Sequence, residues 1–391
     1  MRRLFVQLLI FVMLFLTLYS SNIFAALYQW KDENGNLHFS DTPPPDDTAK
    51  DSLTVTNDTQ GLYHPDNYPD WRTLRHYLRS ENFTSLKSYI NNKQSAFQED
   101  KLREEGIVRT MNYFRELTQD DVSLLKKWQK EDPKSYIPDL ALGLVYVEMG
   151  IRVRGVRTMH RTPPRRIENM HKAFNKALSY FQQALNKKHN LVVAYIGMIQ
   201  IYHYTGDRQK AKAALNNALS INPLSLYTRV YYMASLQPRW GGSFAEMEGF
   251  AHSAQRYASR NPHLKWLKGS VPYHKYFRCT YSGSGRNCSN KFSFLEQALE
   301  YGDNPVVIYA RAKEHFSNDN YDKALKDLNW LIVKYPLFSD ALAIRAKIYA
   351  KKGNHTQSNK DIDLALDVDP MNELVERYFG RKRLYRQNSV D

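Results

Sequence analysis

Six arginines lie between residues 151 and 168, in a segment that contains a single glutamate. Guanidinium groups match the geometry of carboxylate and phosphate oxygens, so this insertion could form an anion-binding arm. In the alternative interpretation it is a solvated loop whose arginines pair with acidic residues elsewhere or cap helix carbonyls. Pro163 and Pro164 exclude one continuous helix across it. The arginines are Arg152, Arg154, Arg157, Arg161, Arg165 and Arg166.

The two cysteines of the chain, Cys279 and Cys288, enclose a polar segment rich in glycine and serine. We predict a disulfide between them if the chain is exported. Closing so short a loop contributes about 2 to 3 kcal/mol by the chain-entropy model. A reactive thiol with His274 as its base is the alternative, but the sequence marks no third group that would orient the histidine.

Other patterns of catalytic or metal-binding residues are missing from the sequence. It contains no H-E-x-x-H zinc motif, no phosphate-binding glycine loop and no nucleophile flanked by glycines, and its 12 histidines are scattered. Asp32, Glu33 and Asn34 lack the glutamate that a calcium loop requires, because Pro43 occupies that position. We therefore predict a protein that is not an enzyme and has neither metal nor cofactor; an uncharacterised enzyme is the alternative.

The N-terminus has the composition of a secretory signal. Arg2 and Arg3 precede an almost wholly apolar run at residues 4–18, and small residues follow at Ala25 and Ala26. We predict cleavage near Ala25 and a periplasmic or secreted protein, with an uncleaved membrane anchor as the alternative. Export makes nucleic acid an improbable partner for a chain of formal net charge +15. Anionic lipids, cell-wall polymers and acidic proteins remain.

One pattern of small and helix-ending residues occurs twice, thirty-four residues apart, starting at Pro305 and Ser339. Small residues at the eighth and twentieth positions are Ala312, Ala346, Ala324 and Ser358, and a proline ends each copy. This pattern resembles the tetratricopeptide repeat, a pair of antiparallel helices. The resemblance implies an all-α fold, a TPR-like α-solenoid in which such pairs stack into a superhelix.

Less regular units precede these two copies. We expect N-terminal helical pairs at residues 71–135 and divergent TPR-like units at 136–261, including a regular one from Val192. An irregular connection with the cysteine loop and a helix is expected at 262–304, the tandem pair at 305–372, and a capping helix with a tail at 373–391. The phrase LQPRWGGS at residues 236–243 and the arginine-rich insertion resemble a second exported bacterial family of unknown function, over residues 71–301.

Residues 26–45 alternate apolar and polar side chains around Asn34-Gly35, which predicts a small β-hairpin module. Residues 46–70 are expected to be a linker. The module resembles a short domain of unknown function near the N-termini of exported bacterial proteins. Its matching positions are Tyr28, Trp30, Asp32, Gly35, His38, Ser40, Asp41, Pro43 and Pro44. The resemblance implies export rather than an activity.

The first helix of each tetratricopeptide unit lines the concave groove in this family. Carrying that property onto the regular units predicts a partner-binding groove formed by Gln200, His203, Tyr204, Tyr309, Lys313, Phe316, Lys347 and Lys351. Lysines and aromatic rings suit an acidic protein or peptide segment. We therefore predict a scaffold or adaptor in the bacterial envelope. Binding of anionic lipid or cell-wall polymer through the arginine-rich insertion is the alternative.

Overall fold

The computed structural model describes residues 28–31, 37–40, 54–55, 71–155, 159–281, 289–336, 338–369 and 372–380. Seventeen α-helices lie in these ranges. The first nine are α1 (Trp71–Arg79), α2 (Phe83–Glu99), α3 (Glu104–Asn112), α4 (Gln119–Glu131), α5 (Ile137–Arg154), α6 (Pro164–Lys187), α7 (Val192–Thr205), α8 (Arg208–Ile221) and α9 (Leu226–Ser235). The others are α10 (Phe244–Ala254), α11 (Ser270–Tyr281), α12 (Lys291–Leu299), α13 (Pro305–Ser317), α14 (Tyr321–Lys334), α15 (Ser339–Lys351), α16 (His355–Val368) and α17 (Glu373–Phe379).

Within the described ranges, three short strands precede the helices. β1 (Tyr28–Lys31) pairs with β2 (Leu37–Ser40) in antiparallel register, with Tyr28 opposite Ser40. β3 (Thr54–Val55) pairs with the other edge of β1, inside the segment expected to be a linker. The turn between β1 and β2 lies outside the described residues, so the hairpin module remains a prediction.

The helices form consecutive hairpins, which confirms the predicted all-α, TPR-like solenoid. Pro305 and Ser339, the predicted first positions of the tandem repeat, are the first residues of α13 and α15. Ala312, Ala324 and Ala346 are fully buried where the two helices of each pair cross. Small side chains at these positions let the helix axes approach closely, and this explains their thirty-four-residue step.

A pair of charged side chains repeats with the same step. Arg311 on α13 makes a bidentate contact with Asp327 on α14, at 2.8 and 2.9 Å. Arg345 on α15 repeats this contact with Asp361 on α16, at 2.8 Å for both bonds. Bidentate guanidinium–carboxylate pairs fix orientation as well as distance. They therefore set the angle between the two helices of each pair.

Residues 262–304 differ from the irregular connection that the sequence predicts. A 3₁₀ segment (Pro262–Gly269) leads into α11, and α11 packs against α12 as a further helical hairpin. Val271 precedes Pro305 by thirty-four residues, so this hairpin is in register with the tandem pair. Pro272 suggests a helix break in the sequence, but it lies in the first turn of α11, where its missing N–H is tolerated.

The arginine-rich insertion is also more helical than expected. Its first residues form the last turn of α5, and its second half, from Pro164, forms the first turns of the 24-residue helix α6. Between these helices lie only residues 155–163. In its described residues, the insertion therefore extends one helical hairpin by about one turn on each side.

The two ends of the array meet. Arg72 on α1 forms an ion pair with Asp367 on α16. Val368 belongs to the same buried apolar cluster as Leu74 and Leu78 of α1. The array thus curls back on itself. No helix within the described ranges is long and apolar enough to cross a membrane, and the apolar run at residues 4–18 lies outside them.

Three helices approach one another closely around Phe181 on α6. A Cβ atom on Gly143 of α5 would lie 2.5 Å from this ring, and one on Gly197 of α7 would lie 2.3 Å from it. The ring therefore fits between two backbones that carry no side chain at the contact. This single aromatic residue fixes the spacing of three helices.

We predict that Gly143→Ala lowers the free energy of unfolding by about 1 to 3 kcal/mol, because the added methyl group overlaps a fully buried ring. Gly249→Ala on α10 is the matched control, since nothing lies within 4 Å of the added Cβ atom. The control substitution should raise the free energy of unfolding by about 0.5 to 1 kcal/mol, because glycine destabilises a helix by that amount relative to alanine. Urea denaturation followed by circular dichroism measures both. Equal effects of the two substitutions would contradict the packing described.

Candidate binding groove

The concave face of the first part of the array is covered by the chain itself. α3 and the following 3₁₀ turn (Tyr113–Glu116) lie against α5, α7 and α9, the first helices of three successive units. Ile107, Met111 and Phe114 are fully buried there. The spacing of apolar residues in this segment predicts a helix, and the structure confirms it. That spacing does not indicate that the helix lies in the groove.

Polar contacts hold this covering segment in place. Arg115 donates from Nη2 to Oε1 of Gln200 on α7 at 2.6 Å, and from Nε to Oδ1 of Asn112 at 2.9 Å. The Tyr227 hydroxyl on α9 donates to Oε1 of Glu105 at 2.8 Å. Gln200 was predicted to contact a partner; the structure places it 6% exposed, beneath Arg115.

Glu104, the first residue of α3, is a buried acid in this interface, with 4% of its surface exposed. It lies beside Ser225 and Asn222 at the N-terminus of α9. Burial raises the pKa of Glu104 to about 7, although these hydrogen-bonding neighbours and the charge of Arg229 oppose the rise. Arg229 itself donates to the carbonyls of Ser225 and Pro223 at 2.6 and 2.8 Å.

The raised pKa of Glu104 makes stability depend on pH. Its contribution is fully present below the unfolded-state pKa of 4.5 and is lost as the pH rises through about 7, because folding holds a proton that the unfolded chain releases. We predict that Glu104→Gln, which mimics the protonated form, gains about 3 kcal/mol relative to the wild type between pH 4 and pH 8.

Chemical denaturation across this pH range measures the difference. Glu248→Gln, at an exposed position on α10, serves as the control and should follow the wild-type pH dependence. Parallel curves for Glu104→Gln and the wild type would show that Glu104 does not carry a proton in the folded state.

The groove of the tandem pair is covered by α17. Asn372 caps this helix by accepting from the amides of Leu374 and Val375 at 3.0 and 2.9 Å. Its amide also donates to Oδ1 of Asp340 on α15 at 2.9 Å and to the hydroxyl of Ser339 at 3.1 Å. One side chain thus caps α17 and fastens it to the first helix of the last unit.

Aromatic and cationic contacts hold the other end of α17. The ring of Tyr378 lies 6.0 Å from that of Phe316 in a T-shaped arrangement. Lys347 donates from Nζ to the carbonyl oxygen of Tyr378 at 3.5 Å and lies 5.5 Å from the ring centroid of Phe379. A cation at the C-terminus of a helix is favourable because the last carbonyls carry partial negative charge. Phe316 and Lys347, both predicted groove residues, therefore contact the same helix.

The other predicted groove residues of the tandem pair have different surroundings. Tyr309 is 1% exposed, and its hydroxyl donates to Asp340 at 3.3 Å. The Nζ of Lys313 lies 5.4 Å from the centre of the Tyr309 ring. Lys351 is exposed and donates to the Tyr321 hydroxyl at 2.7 Å. Of the five predicted residues, Phe316 and Lys347 thus contact α17, Tyr309 is buried beneath Lys313, and Lys351 contacts the start of α14.

His203 and Tyr204 lie in the last turn of α7 and pack against Trp240. The centroid of the His203 ring is 4.2 Å, and that of Tyr204 is 5.4 Å, from the Trp240 centroid. Burial, together with the charges of Arg239 and Arg154, lowers the pKa of His203 to about 3. His203 is therefore neutral near pH 7. The aromatic pair predicted for a peptide groove forms the wall of a separate cationic cluster.

The arginines of the predicted anion-binding arm are dispersed. Arg152 forms an ion pair with Glu148 at 3.0 Å, and Arg166 donates to the carbonyl of Val153 at 2.6 Å. Arg154 is buried, Arg161 and Arg165 are exposed, and Arg157 lies outside the described residues. Some of these arginines thus pair or cap carbonyls, as in the alternative interpretation of the insertion.

The predicted disulfide is not tested, because Cys288 lies outside the described residues and Cys279 is in the last turn of α11. In the part of the chain that the structure describes, no group of three or more histidine, cysteine, aspartate or glutamate side chains could hold a metal ion.

Two family models match the sequence. A domain of unknown function, DUF4124, matches residues 14–61, which include all three strands. A tetratricopeptide repeat matches residues 196–223, within the hairpin of α7 and α8. Two of the three resemblances predicted from residue patterns are therefore found, although the matched repeat is the unit from Val192 rather than the tandem pair; the resemblance over residues 71–301 stays a prediction. No curated protein matches the chain.

Solved structures with helical repeats are also similar to parts of the chain. YrrB, described as a TPR protein with an unusual peptide-binding site, is 16% identical, with a TM-score of 0.23 over 65% of this chain and 96% of YrrB. Yeast Tom70 is 13% identical, with a TM-score of 0.38 over 70% of this chain and 58% of that one. Because these sequence identities and TM-scores are low, the fold is assigned from the helix pairs of the chain itself.

Sequence reasoning missed the residues that fasten the covering segments. Arg115, Glu105 and Asn372 make contacts across 85, 122 and 33 residues. No periodicity marks such pairs. Arg239 and Trp240 belong to the phrase LQPRWGGS, but the resemblance of that phrase assigns them no role.

Proposed function

We propose that the protein is a non-enzymatic adaptor of the bacterial envelope, and that the groove of α13 and α15 binds a protein or peptide segment. The observation that carries the proposal is α17. A short amphipathic helix lies in this groove and is held by a polar cap at one end and aromatic and lysine contacts at the other. Helix-in-groove binding uses the same kind of contacts.

The charge of the groove favours an acidic partner. Lys313 lies over the Tyr309 ring and Lys347 contacts a backbone carbonyl; among the described residues, neither has an ion pair with a carboxylate. Burial raises the pKa of Asp340, near the cap of α17, although the hydrogen bond from Asn372 and the charge of Lys313 oppose the rise. Carboxylates of a bound segment would give both lysines the ion pair that neither has among the described residues.

A partner can bind in this groove only if it displaces α17. The helix has seven residues and only Val375 among them is buried. Its anchor is Asn372, whose side chain makes bonds to both α15 and the helix. We therefore expect α17 to be exchanged for a partner more readily than α3, whose apolar residues are fully buried.

The first test reverses charge in the groove of the full chain. The double variant Lys313→Glu with Lys347→Glu should reduce the amount of protein captured by cross-linking in the producing cells by about tenfold. This factor corresponds to the loss of roughly one charge-assisted hydrogen bond. The matched control is Lys326→Glu with Lys360→Glu. Those lysines are exposed on α14 and α16, share the same thirty-four-residue step and change the net charge equally.

The captured segments, identified by mass spectrometry, should be acidic. If both double variants capture the same proteins in the same amounts, the groove is not the binding site.

The second test releases α17. Asn372→Ala should increase capture through the same groove, because it removes the helix cap and both bonds to α15. Asn354→Ala is the control, since Asn354 caps α16 away from α17. Unchanged or reduced capture by Asn372→Ala would show that α17 is part of the binding surface rather than its competitor.

Location is tested separately. We predict that the mature protein is recovered from the periplasm or medium with its N-terminus within a few residues of Ala25, as determined by mass spectrometry of the intact chain. Full-length protein in the membrane fraction would instead support the uncleaved anchor.

A further inference from the structure

Two guanidinium groups lie against the ring of Trp240. The Cζ atom of Arg154 is 5.1 Å, and that of Arg239 is 5.0 Å, from the centroid of this ring. Arg154 is only 3% exposed and donates from Nη1 to the carbonyl of Gly155 at 3.0 Å. Its Nε is buried and has no hydrogen-bond partner. Buried donors are nearly always bonded, so this nitrogen marks an incomplete site.

Three separate elements hold this cluster. Arg154 is the last residue of α5, and Tyr204 lies in the last turn of α7 with its ring centroid 5.4 Å from the guanidinium of Arg154. Trp240 ends the 3₁₀ turn (Pro238–Trp240), which stops at Gly241 with a φ of +83°. Because the side chains come from three elements, the packing of the array brings them together.

The charges of the cluster are not balanced. Burial lowers the pKa of Arg154, and the positive charge of Arg154 is close enough to act on Arg239. Among the described residues no ion pair joins either arginine to a carboxylate. Glu148, which is also close enough to act on Tyr204, is bonded to Arg152. Two like charges at one aromatic ring are unfavourable without an anion.

A second cluster of the same kind shows what the first one lacks. Arg229 and Arg256 lie 5.3 and 4.9 Å from the ring centroid of Tyr257. There the buried arginine donates to two backbone carbonyls, and Glu104 is close enough to act on it electrostatically. The chain thus supplies hydrogen-bond acceptors to the buried arginine of the Tyr257 cluster. In the Trp240 cluster Arg154 donates to the carbonyl of Gly155, its Nε has no acceptor, and among the described residues no carboxylate forms an ion pair with Arg154 or Arg239.

We propose that Arg154 and Arg239 form a binding site for one oxyanion, a phosphate or carboxylate group, whose adjoining apolar part lies against Trp240. Guanidinium groups bind such oxygens in pairs of parallel hydrogen bonds, and the aromatic rings exclude water from the contact. The site lies at the ends of α5 and α7 and does not depend on the groove of α13 and α15.

Equilibrium dialysis of the full chain at constant ionic strength tests this site, with radiolabelled inorganic phosphate in one arm and acetate in the other. We expect saturable binding of one anion per chain in at least one arm. Saturation by phosphate alone identifies a phosphate site, and saturation by acetate identifies a carboxylate site. No saturable binding in either arm overturns the proposal.

Arg239→Gln changes an exposed side chain and should leave thermal unfolding almost unchanged while weakening binding about tenfold or more, the effect of a lost charged hydrogen bond. Arg256→Gln is the matched control, since Arg256 is also exposed and precedes the aromatic residue of its own cluster. It should bind like the wild type. Equal weakening in both variants would mean that net charge, not this site, attracts the anion.

Discussion

The first helices of this array present apolar surface to the concave side, and that surface must be buried. In the first half of the array it is buried by the chain's own α3 and the turn after it, with Ile107, Met111 and Phe114 fully enclosed. Removal of this segment would expose several large apolar side chains, each worth about 1.5 to 3 kcal/mol. The concave face is thus covered in the first half of the array, and α1 also contacts α16.

The two segments that cover the concave face differ in how firmly they are held. α3 contributes a fully buried apolar face and a buried carboxyl group, Glu104, beside the N-terminus of α9. α17 contributes seven residues, of which Val375 alone is buried, and depends on the Asn372 cap and on contacts to partly exposed rings. The physical difference is the apolar area that would return to water. This difference makes α3 part of the core, and it is the reason for our proposal that a partner can replace α17.

Features that recur with the repeat are predictable from the sequence, whereas contacts between distant units are not. A step of thirty-four residues separates Ala312 from Ala346, and the helix start at Pro305 from the one at Ser339. The step recurs because the same helix crossing recurs. The hairpin of α11 and α12 obeys that step too, although Pro272 suggests a break. The contact of Arg115 with Gln200 joins two elements that are close only because of the curvature of the whole array. No local sequence pattern indicates that curvature.

In this strongly basic chain, the presence of a carboxylate partner distinguishes arginines that support the fold from an arginine that could bind a ligand. Where an arginine supports a helix pair, its carboxylate partner lies at a fixed offset, as in Arg311 with Asp327 and Arg345 with Asp361. A buried arginine without such a partner costs desolvation energy that the fold does not recover. Arg154 is such a residue, and it lies against Trp240 with a donor left unbonded. A cost of this kind is expected where a ligand, rather than the chain, supplies the missing charge.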